Sequence, residues 1–262
     1  MSTLNRRKKV GLALGGGVVR GLAHIGVLSV LEEEGIPIDF VAGTSAGSMI
    51  GAAYSAGLPL ERIRQIGLKI QWWHLLRPVW PREGLVSFEP LRRRLEQEIG
   101  ELEFKDLVRP FAAVTADLDS GDPVPICSGR VALAVQASCS VPGFVTPVRI
   151  GNRILGDGSL VDTVPVSVLR EMGADYVIGV DIFASAIRPR WGAFGMGFTA
   201  LEILVRRAGS GVTQADCLIV PELYRMTYMR FSKRMEIIER GAQAARAVIP
   251  RIKRDLGLDE SS

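Results

Sequence analysis

The stretch Asp39-Phe40-Val41-Ala42-Gly43-Thr44-Ser45-Ala46-Gly47-Ser48 decides how the chain reads. Phe40, Val41 and Ala42 form a short apolar run of the kind that makes a buried strand, and from Met49 the residues are small and helix-compatible. Between them Gly43, Ser45 and Gly47 fit the pattern G-x-S-x-G. In a nucleophile elbow the flanking glycines let a strained strand-to-helix turn close without Cβ clashes, and the serine hydroxyl stands at a helix N-terminus. The free N–H groups and positive end of that helix favour an alkoxide and a nearby oxyanion. The same run also fits an ordinary βα turn, because Gly, Ser and Ala are common. A base and an oxyanion hole at the same sheet edge would separate the two readings.

Working outward, Lys9 to Leu14 reads as a fully buried parallel strand that runs into Gly15-Gly16-Gly17-Val18-Val19-Arg20-Gly21. A helix follows from about Leu22 to Glu34, with Leu22, Ile25, Leu28 and Leu31 at helical spacing and Gly35 as its terminator. The first 55 residues are therefore strand, glycine loop, helix, strand, elbow, helix, which predicts a parallel sheet. The glycine loop has two readings. As a dinucleotide fingerprint it fails twice: Arg20 stands where the third glycine belongs, and Asp39 precedes the second strand instead of ending it. As an oxyanion hole it works, because unhindered N–H groups at the end of strand one would lie beside the serine that ends strand two. Arg20 then holds the loop's shape, faces an anionic group of the substrate, or forms a structural ion pair with a carboxylate.

The chain has two histidines, His24 and His74, and neither lies where a Ser-His-Asp hydrolase keeps its base, late in the chain. His24 reads as a packed or capping residue. A serine nucleophile here needs a carboxylate. The candidate is Asp157: Val148-Arg149-Ile150 and Arg153-Ile154-Leu155 flank Gly151-Asn152 as a hairpin, and the second arm ends at Gly156-Asp157-Gly158-Ser159. An Asp between glycines is also a common turn residue. With an ordinary pKa near 3.9 it is a weak base unless desolvated against the serine.

Composition narrows the class. At 262 residues and 47% hydrophobic the chain is long enough for a large α/β core. The net charge of +4 is a mild bias with scattered basic residues. It suits an anionic membrane surface and gives no nucleic-acid footprint. Cys127, Cys139 and Cys217 are too far apart for a metal or redox motif, and Leu118 and Gly121 break any ligand pattern among Asp117, Asp119 and Asp122. No metal is expected. The apolar run after Arg6-Arg7-Lys8-Lys9 breaks at Gly15-Gly16-Gly17, too soon for a signal peptide, and no stretch reaches the ~18 apolar residues of a membrane span. The expectation is a cytoplasmic protein, with peripheral contact at the inner face of the membrane left open. One domain is expected over 8–250, with flexible termini at 1–7 and 251–262.

Gly15-Gly16-Gly17, Arg20-Gly21, His24-Ile25-Gly26-Val27-Leu28, Gly43-Thr44-Ser45-Ala46-Gly47-Ser48 and Asp157-Gly158-Ser159 stand in the order of the patatin-like phospholipase family. Ala137-Ser138-Cys139-Ser140-Val141-Pro142 also resembles the family's segment before its aspartate. The likeness covers about residues 8–250 and is similar to the bacterial branch related to the catalytic domain of neuropathy target esterase. It implies a three-layer α/β/α sandwich with a mainly parallel central sheet, a Ser-Asp dyad of Ser45 and Asp157, and no cofactor. It also implies an oxyanion hole from Gly15, Gly16, Gly17 and Val18, supported by Arg20 and Gly21, and a phospholipid or lysophospholipid ester as substrate. Two positions depart from the family. Val18 stands where Gly, Ala or Ser is usual, which affects which amide meets the oxyanion. Ser159 replaces Gly or Ala, and its hydroxyl either bonds Asp157 and lowers its basicity or faces solvent. A soluble-ester hydrolase or acyltransferase, and a non-catalytic lipid-binding or regulatory protein, are the rival functions.

The remaining pattern predicts helices over Leu58 to Lys69 and Glu89 to Ile99, and strands at Phe111 to Ala116, Tyr176 to Val180 and Asp216 to Val220. Trp72, Trp73, Leu75, Leu76, Val79 and Trp80 form a core-packing loop on one reading and a lid or interfacial patch on the other, since Trp favours the membrane boundary. Residues 191–207 are apolar but interrupted: core packing, an acyl-pocket wall, a dimer contact or a bilayer contact. The sequence says nothing of oligomeric state.

Overall fold

The computed structural model describes residues 6–183, 192–209, 211–224, 226 and 231–258. In chain order the elements are β1 (Val10–Leu14), α1 (Ala23–Glu33), β2 (Phe40–Thr44), α2 (Ala46–Ser55), α3 (Leu60–Lys69), β3 (Arg77–Pro78), β4 (Val86–Ser87), α4 (Glu89–Ile99), β5 (Phe111–Asp117) and β6 (Pro123–Ile126). There follow α5 (Val131–Ser138), β7 (Val148–Ile150), β8 (Arg153–Asp157), α6 (Val166–Glu171), β9 (Tyr176–Val180), α7 (Gly192–Arg207), α8 (Gly211–Gln214), β10 (Cys217–Ile219) and α9 (Arg234–Leu256). Eight strands make one sheet in the order β10-β9-β1-β2-β5-β8-β7, with β6 also on β5. The first five of that order are mutually parallel, and β6, β7 and β8 add antiparallel pairs. Helices cover both faces, so the expected mainly parallel α/β/α architecture is what the chain adopts.

Residue size sets the spacing of the layers. Ile178, Leu12, Val41 and Phe111 stand in register across four strands, and all four join the core beneath α1, α2 and α9. The next row, Gly179, Ala13, Ala42 and Ala112, faces the opposite side, where Val166 and Leu169 of α6 pack. That side is so close that a Cβ on Gly11 would lie 3.0 Å from the Ala174 Cβ and 3.1 Å from the Leu169 Cβ. On the thicker side α1 and α9 approach until a Cβ on Gly26 would stand 1.9 Å from the Ile238 carbonyl oxygen.

The arrangement around β5 positions the site. Val114 pairs with Thr44 of β2 and with Pro125 of β6, and Thr115 pairs with Asp157 of β8 and with Val124 of β6. With β6 occupying one edge of β5, β2 and β8 share the other edge, one after the other. The parallel strand β2 and the antiparallel strand β8 run toward each other along it and stop at consecutive positions. The residue after β2 is Ser45, and the last of β8 is Asp157.

The closing helix corrects one boundary. Residue 250 lies inside α9, which continues to Leu256 before Gly257 turns left-handed at φ 67°. Ile252 is fully buried, and the Asp255 carboxylate accepts the Tyr176 hydroxyl at 2.9 Å, so 251–256 belongs to the packed structure. At the other end Arg6 and Arg7 pair with Asp175 and Asp39. Residues 1–5 and 259–262, also expected to be flexible, lie outside the described residues.

Candidate active site

Ser45 is the residue between β2 and α2 and adopts φ 52°, ψ −122°. Positive φ on a non-glycine residue is strained, and here the surroundings hold it. The Ser45 N–H donates to the Ser138 Oγ at 2.9 Å, and the Ser138 hydroxyl donates to the Val114 carbonyl at 2.6 Å. The Ser45 carbonyl in turn accepts from the Ser48 N–H and Ser48 Oγ. Gly43 and Gly47 supply the room predicted for an elbow. A Cβ on Gly47 would lie 2.0 Å from the Leu14 carbonyl oxygen, and one on Gly43 2.5 Å from the Gly47 oxygen.

The Ser45 hydroxyl donates to Asp157 Oδ2 at 2.6 Å. The other carboxylate oxygen, Oδ1, accepts the Ser159 N–H at 2.9 Å, and the Asp157 N–H donates to the Ser140 carbonyl at 2.8 Å. Both partners are almost wholly buried. Burial raises the Asp157 pKa above the ordinary carboxylate range, and the hydrogen bonds from Ser45 and Ser159 oppose that rise. Ser159 is itself buried, which removes the reading in which its hydroxyl faces solvent, and its N–H is the group that bonds the Asp157 carboxylate. Gly158 must be glycine for a steric reason: a Cβ would stand 2.3 Å from the Val114 oxygen.

The glycine loop lies over this pair. A Cβ on Gly16 would be 2.2 Å from the Ser159 Oγ and 3.3 Å from the Ser45 Cβ. Its amides divide differently from the expectation. The Gly15 N–H donates to the Val180 carbonyl at 3.0 Å and the Gly16 N–H to the Thr163 carbonyl at 3.3 Å. Those two donors are committed to the scaffold, the first by the end of β9 and the second by the segment that joins β8 to α6. Among the described residues the Gly17 and Val18 amides have no protein acceptor. Val18 has φ 53°, the second of only two non-glycine residues with positive φ among the described residues. That backbone is the physical reason a small residue suits this position.

Arg20 is fully buried, and its guanidinium donates to the carbonyls of Ile182, Leu223 and Met226. It fastens the glycine loop to segments that follow β9 and β10. Its burial removes the reading in which it faces a substrate anion. Gly21 allows the loop to pass α2, since a Cβ there would meet the Ala46 Cβ at 2.6 Å. His24 is buried with its Nε2 2.7 Å from the Gly15 oxygen. Burial lowers its pKa to about 4, so the neutral ring donates to that carbonyl and pins the loop. His74 bonds the Gln71 N–H through Nδ1 and caps its own turn.

Three contributors had no role in the sequence reading. Ser138 was legible only as part of a family-like segment, yet its hydroxyl holds the backbone of Ser45. The carbonyls of Thr163 and Val180 set the loop's height, and no local pattern marks a carbonyl that a distant amide will find. The tryptophan segment divides: Leu75 is buried and Trp72 half-buried, but Trp73 and Trp80 are exposed, against the core-packing reading for those two. In α7, Thr199 and Val205 are buried while Met196 and Leu204 face outward; Trp191 and the side chains of Phe194 and Phe198 lie outside the described residues.

A strained serine at a strand end, a buried carboxylate in hydrogen-bond contact with it and an adjacent glycine loop thus meet at one edge of the sheet. Residues 12–170 match the model of the patatin-like phospholipase family. The chain belongs to that family. It is 33% identical over 181 residues to the lysophospholipase nte1 of Aspergillus fumigatus, covering 67% of this chain and 12% of the fungal protein. An uncharacterised NTE family protein of Mycobacterium tuberculosis is 32% identical over 184 residues, 69% of this chain and 51% of that one. The mouse patatin-like phospholipase domain-containing protein 6 is 29% identical over 245 residues, 88% of this chain and 18% of its own length. The chain thus spans about half or less of these relatives. Among solved structures, VipD of Legionella pneumophila superposes with a TM-score of 0.67 at 15% identity over 94% of this chain and 67% of that one. The type III effector ExoU gives 0.54 at 14% identity, over 95% and 54%. At such identities these two speak to the fold alone. No helix among the described residues is long and apolar enough to cross a membrane.

Proposed function

We propose that this chain is a serine acyl-ester hydrolase that acts on phospholipid or lysophospholipid esters through a Ser45-Asp157 dyad. The observation that carries the reading is the 2.6 Å hydrogen bond from the Ser45 hydroxyl to the buried Asp157 carboxylate. Membership in the patatin-like family and the lysophospholipase named among the relatives support the lipid class.

Asp157 Oδ2 takes the hydroxyl proton as Ser45 Oγ attacks the ester carbonyl carbon. The carbonyl oxygen becomes the oxyanion and is met by the free amides of Gly17 and Val18, with the N-terminus of α2 adding a favourable field. Collapse breaks the ester bond, and the proton on Asp157 goes to the departing alcohol. A water molecule, deprotonated by Asp157, then attacks the acyl-Ser45 ester, and Asp157 passes that proton to Ser45 Oγ as the fatty acid leaves. Burial makes the carboxylate a better base than an ordinary aspartate, which is what a dyad without imidazole requires.

Intact mass after reaction with a fluorophosphonate probe tests the nucleophile. One adduct is expected on the wild type and none on Ser45→Ala. Purified Ser45→Ala and Asp157→Asn are each expected to lose at least about a thousandfold in lysophospholipid turnover while remaining folded. Substantial turnover by either variant sinks the dyad. Turnover of short soluble esters without phospholipid turnover would move the protein to a soluble-ester hydrolase. Stoichiometric lipid binding with no product would make it a binding protein. The activity must also fall on acidification through a pKa above the ordinary value of about 4, because Asp157 acts only when deprotonated and burial raises its pKa.

A further inference from the structure

Between α3 and α4 the chain leaves the body as a short antiparallel ribbon, with Arg77 opposite Ser87 and Pro78 opposite Val86. Two of its apolar residues, Trp80 and Leu85, point outward. Trp80 is 80% exposed, Trp73 71%, Leu85 54% and the neighbouring Phe144 43%. Trp80, Leu85 and Phe144 are held together by the main chain: the Val79 N–H donates to the Leu85 carbonyl, and the Leu85 and Val86 N–H groups donate to the Phe144 carbonyl. Pro78 and Pro81 flank the Trp80 turn and stiffen it. A cluster of large apolar side chains on a stiff ribbon is a recognition surface in waiting, not core.

Charge indicates what it meets. Residues 71–98 contain Arg77, Arg82, Arg92, Arg93 and Arg94 against Glu83, Glu89, Glu96 and Glu98; Arg92 and Arg94 are ion-paired with Glu96 and Glu98, so the unmatched positive charge of the ribbon is Arg82. No ion pair holds Arg82 among the described residues, and it sits two residues from Trp80. Arg77 and Arg93 share the single carboxylate of Glu89 at a groove of about 240 Å³. Guanidinium groups suit phosphate oxygens, and indole rings suit the boundary between headgroups and acyl chains.

The ribbon also sits beside the chemistry. Phe144 and Val145 belong to the loop after α5 in which Ser140 accepts the Asp157 N–H, and a Cβ on Gly156 would touch Pro142 of that loop at 3.1 Å. We propose that the ribbon over residues 77–87, with Phe144, is an interfacial docking surface that seats this protein on anionic lipid bilayers. The inference rests on the hydrolase reading, because it brings the dyad to the surface where such esters are found.

The test uses the full chain and co-sedimentation with vesicles of phosphatidylcholine alone and of equimolar phosphatidylcholine and phosphatidylglycerol. Turnover of a short soluble ester is measured in parallel. The wild type is expected to bind the anionic vesicles at least about tenfold more tightly than the neutral ones, with the difference shrinking at high salt. Trp80→Ala/Leu85→Ala and Arg82→Glu should each weaken anionic-vesicle binding about tenfold and leave soluble-ester turnover unchanged, since all three residues are exposed and outside the dyad. Equal binding to both vesicle types, or variants that bind like the wild type, overturns the proposal. So does a wild type that ignores vesicles but forms a dimer that Trp80→Ala abolishes. Absent ester turnover with vesicle binding as expected would instead retire the hydrolase reading and keep the docking surface.

Discussion

Ser45 and Val18 carry the left-handed backbones of this site, and each such residue stores about 1–3 kcal/mol that its surroundings must hold in place. For Ser45 the holder is Ser138, whose hydroxyl takes the Ser45 N–H and passes a hydrogen bond to Val114. Replacing Ser138 by Ala leaves a buried N–H without its acceptor and frees the elbow to relax. The expected result is a loss of about 1–3 kcal/mol in stability by chemical denaturation, and a fall of about tenfold in kcat with little change in KM. Unchanged kcat in a destabilised Ser138→Ala would reduce Ser138 to a packing residue. The elbow serine and the Asp157 turn were legible because glycine spacing is a local signal. Which loop amides stay free was not. That depended on the carbonyls of Val180 and Thr163, more than 140 positions away and unmarked in the sequence.

At the scale of elements, the first βαβα unit and the 148–157 hairpin could be read because strand and helix periods, turn residues and chain order all act over short distances. The head-on meeting of β2 and β8 along one edge of β5 could not. It requires β6 to occupy the opposite edge, and a pairing choice among eight strands leaves no periodicity behind. Arg20 shows the same limit: in the sequence it suggested a carboxylate partner, and in the fold it gathers carbonyls from residues 182, 223 and 226. Helix packing offers a sharp contrast between two glycines. Gly26 faces α9 with the Ile238 oxygen 1.9 Å from where a Cβ would go, whereas Gly35 has open space and a φ of 66°. Gly26→Ala is expected to cost about 3 kcal/mol through forced separation of α1 and α9, and Gly35→Ala only about 1 kcal/mol through backbone strain. Equal thermal shifts in the two variants would contradict this packing.

For the whole molecule, two buried carboxylates set a pH dependence. Burial raises the Asp162 pKa to about 6, with one oxygen, Oδ1, lacking a partner among the described residues, and it raises Asp157 as well. A raised acid binds its proton more tightly in the folded state. Its contribution is therefore intact below the unfolded pKa near 4 and is lost as pH climbs through about 6. Asp162→Asn should thus melt higher than the wild type at pH 7, by up to about 2 kcal/mol, with the gain vanishing below about pH 4. A gain that persists at acid pH would point to something other than charge. The 112-residue separation of Ser45 from Asp157 has a different consequence, one of timing. A ribosome delivers the strained serine well before the carboxylate that accepts its hydrogen bond, and α9, which closes over α1, comes later still. On the proposed mechanism the unfinished chain is therefore chemically silent: no acyl bond can be cut until synthesis has passed β8, and α1 lacks its α9 cover until synthesis has passed α9.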